Sequence, residues 1–481
     1  MVESESNGLE RRGTIIMSGT VTIINYNANA HDIVSAAGRL STTAGSADEL
    51  YQRACDNDSE KNINLINKIL SSGHQSVLEH IYVNLSFDNV SVFVEQFMIE
   101  FRLASFTVKS RRYVDFGKMG YVSPDFSSVN EMTKAEALYQ QHMEYLFGEY
   151  NAFIEAGIPK EDARFVLPYS FRSNFYCTVN ARELVKIMNE MVGGRGKAYP
   201  EIVALGESLL SQCETCLPYL KKVKPEPDVG EMMRTHFPVR EKNRKTENGE
   251  PLVTLLNGTP EPEKIICRAA ALNYGIHGWE NTEITDPGKQ KAILADLLKG
   301  GRKRELEQVN FTIFFHRMSL AGVTHLVRHR MQSIIVPEYI STCRYDSYVL
   351  PESIVNAGLK ERYQEVFIRT EETAALLEAM GLSAQDRVYL LLSGMTIPVM
   401  TTMNANELCT FFRLRTCVRA QWEIKECADE LLRILREEYP VLFSLYGPSC
   451  FMLGKCPEGK MTCGRIKEIL EKYSFDGEKE M

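Results

Sequence analysis

The strongest constraint on this chain is that it is written twice. Residues 78–87, LEHIYVNLSF, and 306–315, LEQVNFTIFF, both open on Leu-Glu and then alternate apolar with mixed residues. Ile81, Val83, Leu85 and Phe87 share one face of the first segment; Val309, Phe311, Ile313 and Phe315 share one face of the second, 228 residues on. A period of two reads as a half-buried strand. An apolar helical stretch follows each strand and ends in an arginine, Arg102 or Arg330, and three residues later comes Ser105 or Ser333. Arg112-Tyr113 answers Arg344-Tyr345 at an offset of 232, and Asn180-Ala181-Arg182-Glu183-Leu184 answers Asn404-Ala405-Asn406-Glu407-Leu408 at 224. Three matches in one order, with offsets differing by a few residues, predict an ancestral unit of roughly 220 residues, duplicated and fused, with small insertions in its loops.

The duplication divides the chain into a polar leader (1–18), a first unit (19–221), a linker rich in charge and Pro (222–251) and a second unit (252–481). Each unit runs helix, strand, helix, polar loop and two more helices, with residues 133–156 and 361–380 as one matched helix pair. That order predicts an α+β fold, each unit a mixed or antiparallel sheet with helices, and not the βαβ alternation of a doubly wound sheet. Neither G-x-G-x-x-G nor a P-loop follows any strand, so those phosphate cradles are absent. Fifty-five Lys+Arg against sixty-three Asp+Glu leave a net charge of -8, which argues against a nucleic-acid binder. No apolar run approaches the roughly 20 residues that span a bilayer, and no signal peptide is visible. Twelve cysteines without a regular framework fit a reducing cytoplasm.

The densest polar cluster is Arg328-His329-Arg330, followed by Ser333 and Arg344-Tyr345. Consecutive helical residues lie about 100° apart, so the three fan in different directions and can reach several ligand groups. Arginine suits phosphate because its planar fork donates paired hydrogen bonds and stays charged. The plainer reading is a basic helix C-terminus, stabilised a few tenths of a kcal/mol by the helix dipole.

RHRMQS, followed after a loop by SxxRY, resembles the signature of the flavin-dependent thymidylate synthases. GHQSVLEH (73–80), ARFVLPYSFRSNFYCTVNAREL (163–184), LRTCVRAQWEI (414–424) and the tail GPSCFMLGKCPEGKMTCG resemble other segments of that family, and together they cover most of both halves. The resemblance implies a reductive methylation in which FAD takes hydride from NADPH, methylenetetrahydrofolate gives the one-carbon unit, and C5 of dUMP is methylated. It implies a homotetramer of single units with each flavin site built from several subunits. For a tandem chain, that means a homodimer forming a pseudo-tetramer.

Carried over residue by residue, the resemblance is lopsided. In the first unit the triplet has become Glu100-Phe101-Arg102, while Ser110-Arg111-Arg112-Tyr113 keeps the family's Ser-x-Arg-Tyr. Ser41, His74, Ser76, Asn180 and Arg182 stand at flavin positions, Ser110, Arg112 and Arg164 at nucleotide positions, and Met191 replaces the arginine that polarises the uracil ring. The second unit keeps Arg328, His329 and Arg330, and Arg415 falls at the ring-polarising position, where it would stabilise negative charge on the pyrimidine. Asn404 stands at a flavin position, and His325, Glu338, Ser341, Arg344 and Arg387 at nucleotide positions. The counterparts of His74, Ser76 and Arg182 are Arg302, Arg304 and Asn406. Complementary losses of this kind point to hybrid sites, with His74, Ser76 and Arg182 from the first unit and the triplet and Arg415 from the second. The competing reading makes the first unit a scaffold.

Three departures leave the substrate open. The family's glutamine before the triplet is Phe97 in one unit and His325 in the other, and Val108 stands where the family has a carboxylate. The loop IIVPEYISTC is longer than the family's by about four residues. Another uracil nucleotide, a hydroxymethylation, or a non-catalytic flavin- or nucleotide-binding protein remain the alternatives. Cys450, Cys456 and Cys463 can be zinc ligands if a fourth arrives, a disulfide pair, or reduced structural thiols; the last is favoured and no metal is assigned. Cys343, beside Arg344, is the one cysteine where a cation is expected to lower the pKa.

Overall fold

In the computed structural model, which describes residues 19–220, 229–237, 251–278 and 284–474, the written repeat becomes two sheets of one topology. β1 (Thr20–Tyr26), β2 (Tyr82–Ser91), β3 (Ala104–Val108) and β4 (Arg172–Asn180) pair in the order β1-β2-β4-β3. β5 (Val253–Gly258), β6 (Asn310–Ser319), β7 (Gln332–Ile335) and β8 (Thr396–Asn404) pair in the order β5-β6-β8-β7. Every pairing is antiparallel, so both units are α+β with antiparallel sheets. Even the irregularities repeat: the register shifts at Ile23/Asn25 and Phe87/Val90 recur at Leu255/Asn257 and Phe315/Met318. The expected alternation holds, with Val83, Leu85, Phe87, Phe311, Ile313 and Phe315 fully buried. Burying each such side chain stabilises by about 1.5–3 kcal/mol. The leader and most of the linker lie outside the described residues; within the linker span, Val229–His236 is helical, although its sequence carries no sustained apolar period.

After β2 and β6 the chain enters a short helix, Val92–Ile99 or Leu320–Leu326, in which every residue is buried. A helix buried on every side, polar Glu95, Gln96, Thr324 and His325 included, forms only inside a core. The same device starts both. Ser91 and Ser319 cap the helices, accepting from Val94 N at 3.2 Å and Gly322 N at 2.8 Å, and each hydroxyl donates to a buried carboxylate, Glu201 or Glu423. Burial raises the pKa of both carboxyls, and the bonds from serine oppose the shift.

The two units meet across an internal two-fold. Arg102 donates to Gln332 O and Arg330 Nη1 to Ala104 O at 3.1 Å; adding 228 to either unit's residue gives the other pair's member. Tyr169 N donates to Leu391 O at 2.7 Å and Ser393 N to Leu167 O at 2.9 Å, related by 224. Reciprocal pairs of this form define an isologous, dimer-like interface, here closed within one chain. The helices Met132–Glu155 and Lys360–Ala379 seal it, with Arg362 gripping Glu149 and His142 held between Thr370 and Thr373. Among the described residues no helix is long and apolar enough to cross a membrane.

Candidate active site

The triplet follows the buried helix Leu320–Leu326, and the fan expected from the sequence is present: His329 turns inward while Arg328 and Arg330 reach solvent. His329 Nδ1 lies 2.9 Å from Glu407 Oε1, and its Nε2 lies 2.9 Å from Arg415 Nε. A guanidinium Nε–H only donates, so Nε2 carries the lone pair and the imidazole proton sits on Nδ1, facing the carboxylate. Burial lowers the pKa of His329, the bond to Glu407 opposes the shift and Arg415 adds to it, which keeps the ring neutral. Arg415 Nη2 donates to His325 O at 3.0 Å, leaving Nη1 without a hydrogen bond among the described residues. Glu407 and Arg415 belong to one helix, Ala405–Arg415, with the acid in its first turn and the base in its last, as the helix dipole favours. The relay Glu407–His329–Arg415 thus aims one guanidinium.

The first unit completes this cluster. The turn after β3 carries Ser110, whose Oγ accepts from Arg112 N at 3.4 Å, and Arg112 Nη1 crosses to donate to Arg419 O at 3.0 Å. Arg164 is buried; its Nε donates to Glu161 O, but its Nη2 has no partner among the described residues, and neither has His325 Nε2. Burial, then the fields of Arg164, Arg415, Arg328 and Arg112, push the pKa of His325 well down. Burial and neighbouring arginines bring Arg164 and Arg415 each down to about 10. An unsatisfied buried donor costs about 1–3 kcal/mol, more when charged. Four guanidinia from both units around a histidine of lowered pKa are an arrangement whose unpartnered donors an anion would satisfy. Of the sequence candidates, Ser110, Arg112, Arg164, His325, Arg328 and Arg415 come together here.

The flavin candidates lie at the end of the first sheet and on its neighbouring turns. Ser41 follows the helix Ala30–Leu40, and His74 and Ser76 stand exposed after the helix Ser59–Ser71. Arg182 pairs with Glu79, and its buried Nε has no partner among the described residues. Asn180 and Asn404 have a structural task that the sequence did not reveal: each caps a helix through Oδ1, from Glu183 N at 2.9 Å and Glu407 N at 2.8 Å. Val179, beside Asn180, is paired with Ala104, whose carbonyl accepts from Arg330. The second unit's triplet and the first unit's Asn180–Arg182 segment therefore adjoin at one sheet end.

The family model described as thymidylate synthase complementing protein matches residues 22–219 and again 254–441. The chain belongs to this family. Flavin-dependent thymidylate synthases from Geobacter sulfurreducens and Nitratidesulfovibrio vulgaris are 35% and 36% identical to it over 226 and 237 residues, in each case 45% of this chain and 95% of the relative. The enzyme of that description from Pyrococcus horikoshii is 33% identical over 246 residues, 46% of this chain and 99% of the relative. Each relative has the length of one unit. A crystal structure of a UMP/dUMP methylase PolB from Streptomyces cacaoi bound with 5-Br dUMP aligns at 23% identity and a TM-score of 0.36, over 42% of this chain and 93% of that one.

In this doubled member of the family the remaining nucleotide candidates lie elsewhere. Glu338 and Ser341 are exposed and bonded to each other at 3.0 Å, Arg344 pairs with Asp346, and Arg387 pairs with Glu378 at 2.6 Å. Glu338 and Tyr339 line a cleft of about 630 Å³ with Phe97, Glu100, Arg195 and Tyr199 of the first unit. Phe97 and Glu100 are the 228-residue counterparts of His325 and Arg328, so this cleft is the two-fold mate of the arginine cluster. Arg195 was not foreseen. Met191 holds the sequence position of Arg415, yet Arg195, four residues on, donates to Phe97 O at 3.2 Å just as Arg415 donates to His325 O. It also pairs with Glu100 and lies over Phe97 at 4.5 Å. The one sequence signal was GGRG at 193–196, a pliant turn able to carry an arginine backward. The expectation for Cys343 is corrected: burial raises its pKa, because Arg344 turns away to Asp346. The cysteines are free thiols, and among the described residues no cluster of three or more ligands is placed to hold a metal ion.

Proposed function

We propose that the chain is an FAD-dependent enzyme that methylates C5 of dUMP to give dTMP, using methylenetetrahydrofolate and NADPH, at a site shared by its two units. The observation that carries this reading is the pair of unpartnered buried atoms, Arg164 Nη2 and His325 Nε2, within four converging arginines. Arg112 and Arg164, from the first unit, hold the phosphate through charge-assisted hydrogen bonds. His325 and Arg328 line the nucleotide from the second unit. Arg415, fixed by His329 and Glu407, presents Nη1 to the pyrimidine, where a pre-oriented cation stabilises the negative charge that develops on the ring as C5 becomes nucleophilic.

The donor set His74, Ser76, Arg182 and Arg330 fits a flavin diphosphate: it offers an imidazole, a hydroxyl and two guanidinia, one of them with an unpartnered Nε. FAD, when bound, relays the hydride of NADPH to the one-carbon unit, leaving tetrahydrofolate and NADP⁺ beside dTMP. Because these residues lie largely on the surface, a second chain completes the flavin site, giving a homodimer arranged as a pseudo-tetramer.

Of the three departures that favour hydroxymethylation or another uracil nucleotide, His325 and Val108 stay with the arginine cluster, and only the loop lies away from it. The lengthened loop packs at the mate cleft, where Tyr339 meets Tyr169 at 5.8 Å, whereas the loop beside Arg415 is the first unit's Ser110–Tyr113. The test is the product mass after incubating purified, flavin-loaded protein with dUMP, methylenetetrahydrofolate and NADPH. The mass of dTMP is expected; a hydroxymethylated product, or none, overturns the reading.

A further inference from the structure

We propose that each chain holds one nucleotide, and that the mate cleft across the internal two-fold has been converted from a nucleotide site into a joint between the units. This rests on the reading that the arginine cluster takes dUMP. Each cleft draws its triplet from one unit and its Ser-x-Arg-Tyr loop from the other. The first unit lost its triplet and the second unit lengthened its loop, so two losses that look independent in sequence fall on the same cleft.

The charge balance of that cleft is shifted toward carboxylates. Where the nucleotide site has Arg328, it has Glu100, and Glu190 and Glu338 add two more carboxylates to its lining. Two cations, Arg195 and Lys197, line it against those three carboxylates, and Arg195 is engaged by Glu100 and by Phe97 O, so it offers little charge to a phosphate. No arginine stands at the place of Arg164: the offset of 224 that relates Leu167 to Leu391 puts Val388 there, and the neighbouring Arg387 gives its Nη1 to Glu378, its buried Nε having no partner among the described residues. The lengthened loop drives Tyr339 inward to 6% exposure, against Phe93 and Tyr169, with its hydroxyl 3.5 Å from Glu100. A phosphate entering there would meet carboxylates and pay the desolvation of Arg195–Glu100 without a replacement partner.

Equilibrium dialysis of radiolabelled dUMP against the flavin-loaded protein counts the sites directly. One nucleotide per chain is expected, and two per chain overturns the proposal. No binding at all overturns the functional reading and this inference with it. The variants Arg328→Ala and Glu100→Gln assign the site. Arg328→Ala is expected to weaken binding by about 10-fold or more, as loss of a charge-assisted hydrogen bond does. Glu100→Gln is expected to leave affinity and turnover within about two-fold. Retention of one tightly bound nucleotide by Arg328→Ala, or its loss in Glu100→Gln, contradicts the assignment; thermal melts confirm that each variant is folded.

Discussion

The two clefts share a fold, a two-fold axis and a helix-capping serine, and they differ in what the buried short helix presents. In the first unit Glu95, on that helix, is buried with Arg111 and accepts from Ser173. Val323, Cys343 and Ile397 occupy the corresponding positions in the second unit, so the same scaffold closes once around an ion pair and once around apolar side chains. The His329–Arg415 relay has the opposite distribution, with Phe101 and Met191 in the first unit. Glu183, the counterpart of Glu407, survives there without an imidazole to hold and pairs with Lys186 instead. The difference teaches that at these positions the framework accepts either polar or apolar side chains, while the capping serines and asparagines recur in both units. The exchanged polar groups are present where one shared site uses them.

Four experiments break or sharpen that comparison. The largest effect is expected at Glu95. Glu95→Ala strands the Arg111 guanidinium in the core and should cost about 3–5 kcal/mol in chemical denaturation, whereas the triple replacement Glu95→Val, Arg111→Cys, Ser173→Ile, which copies the second unit, should recover most of that loss. A triple variant as unstable as the single one would show that the units are not interchangeable there. Next, Arg415→Met, which copies Met191, should lower kcat for dUMP methylation by about 10²–10³-fold with flavin absorbance retained; unchanged turnover removes Arg415 from the chemistry. Glu407→Gln should cost about 10-fold in kcat, and nearly nothing when His329→Phe is already present, a substitution the fold accepts beside Glu183. Equal losses in both backgrounds would mean that Glu407 does not act through His329. Smallest, Arg182→Ala should weaken FAD binding about 5- to 10-fold in a fluorescence titration, the range of a truncated charged hydrogen bond; unchanged affinity would remove Arg182 from the flavin site and leave the first unit only its nucleotide contacts.

Much of this was legible in the sequence because strands and short helices leave periodic traces. Phe87 and Phe315 announce themselves by alternation, and Arg328, His329 and Arg415 by motif. The partner of each triplet was not legible, since Arg112 and Arg415 lie 303 residues apart in sequence and are joined only by the fold. Arg195 was hidden because alignment compares positions along a helix, while its guanidinium returns from the turn beyond it. Asn180 and Asn404 match ligand positions by motif, and their helix-capping task depends on the backbone of the following turn, which motif does not specify. Arg344 and Arg387 matched by position but found carboxylates nearer at hand, Asp346 and Glu378.

The reciprocal clamps Arg102–Gln332 and Arg330–Ala104 carry a consequence for inheritance. In a dimer of identical subunits, one codon change alters both symmetry-related clefts together, so neither can drift while the other works. Closing the same contact inside one polypeptide gives each cleft its own codons. Phe101 can then replace a histidine, and Tyr339 can be driven inward, while His329 and Arg415 stay as they were.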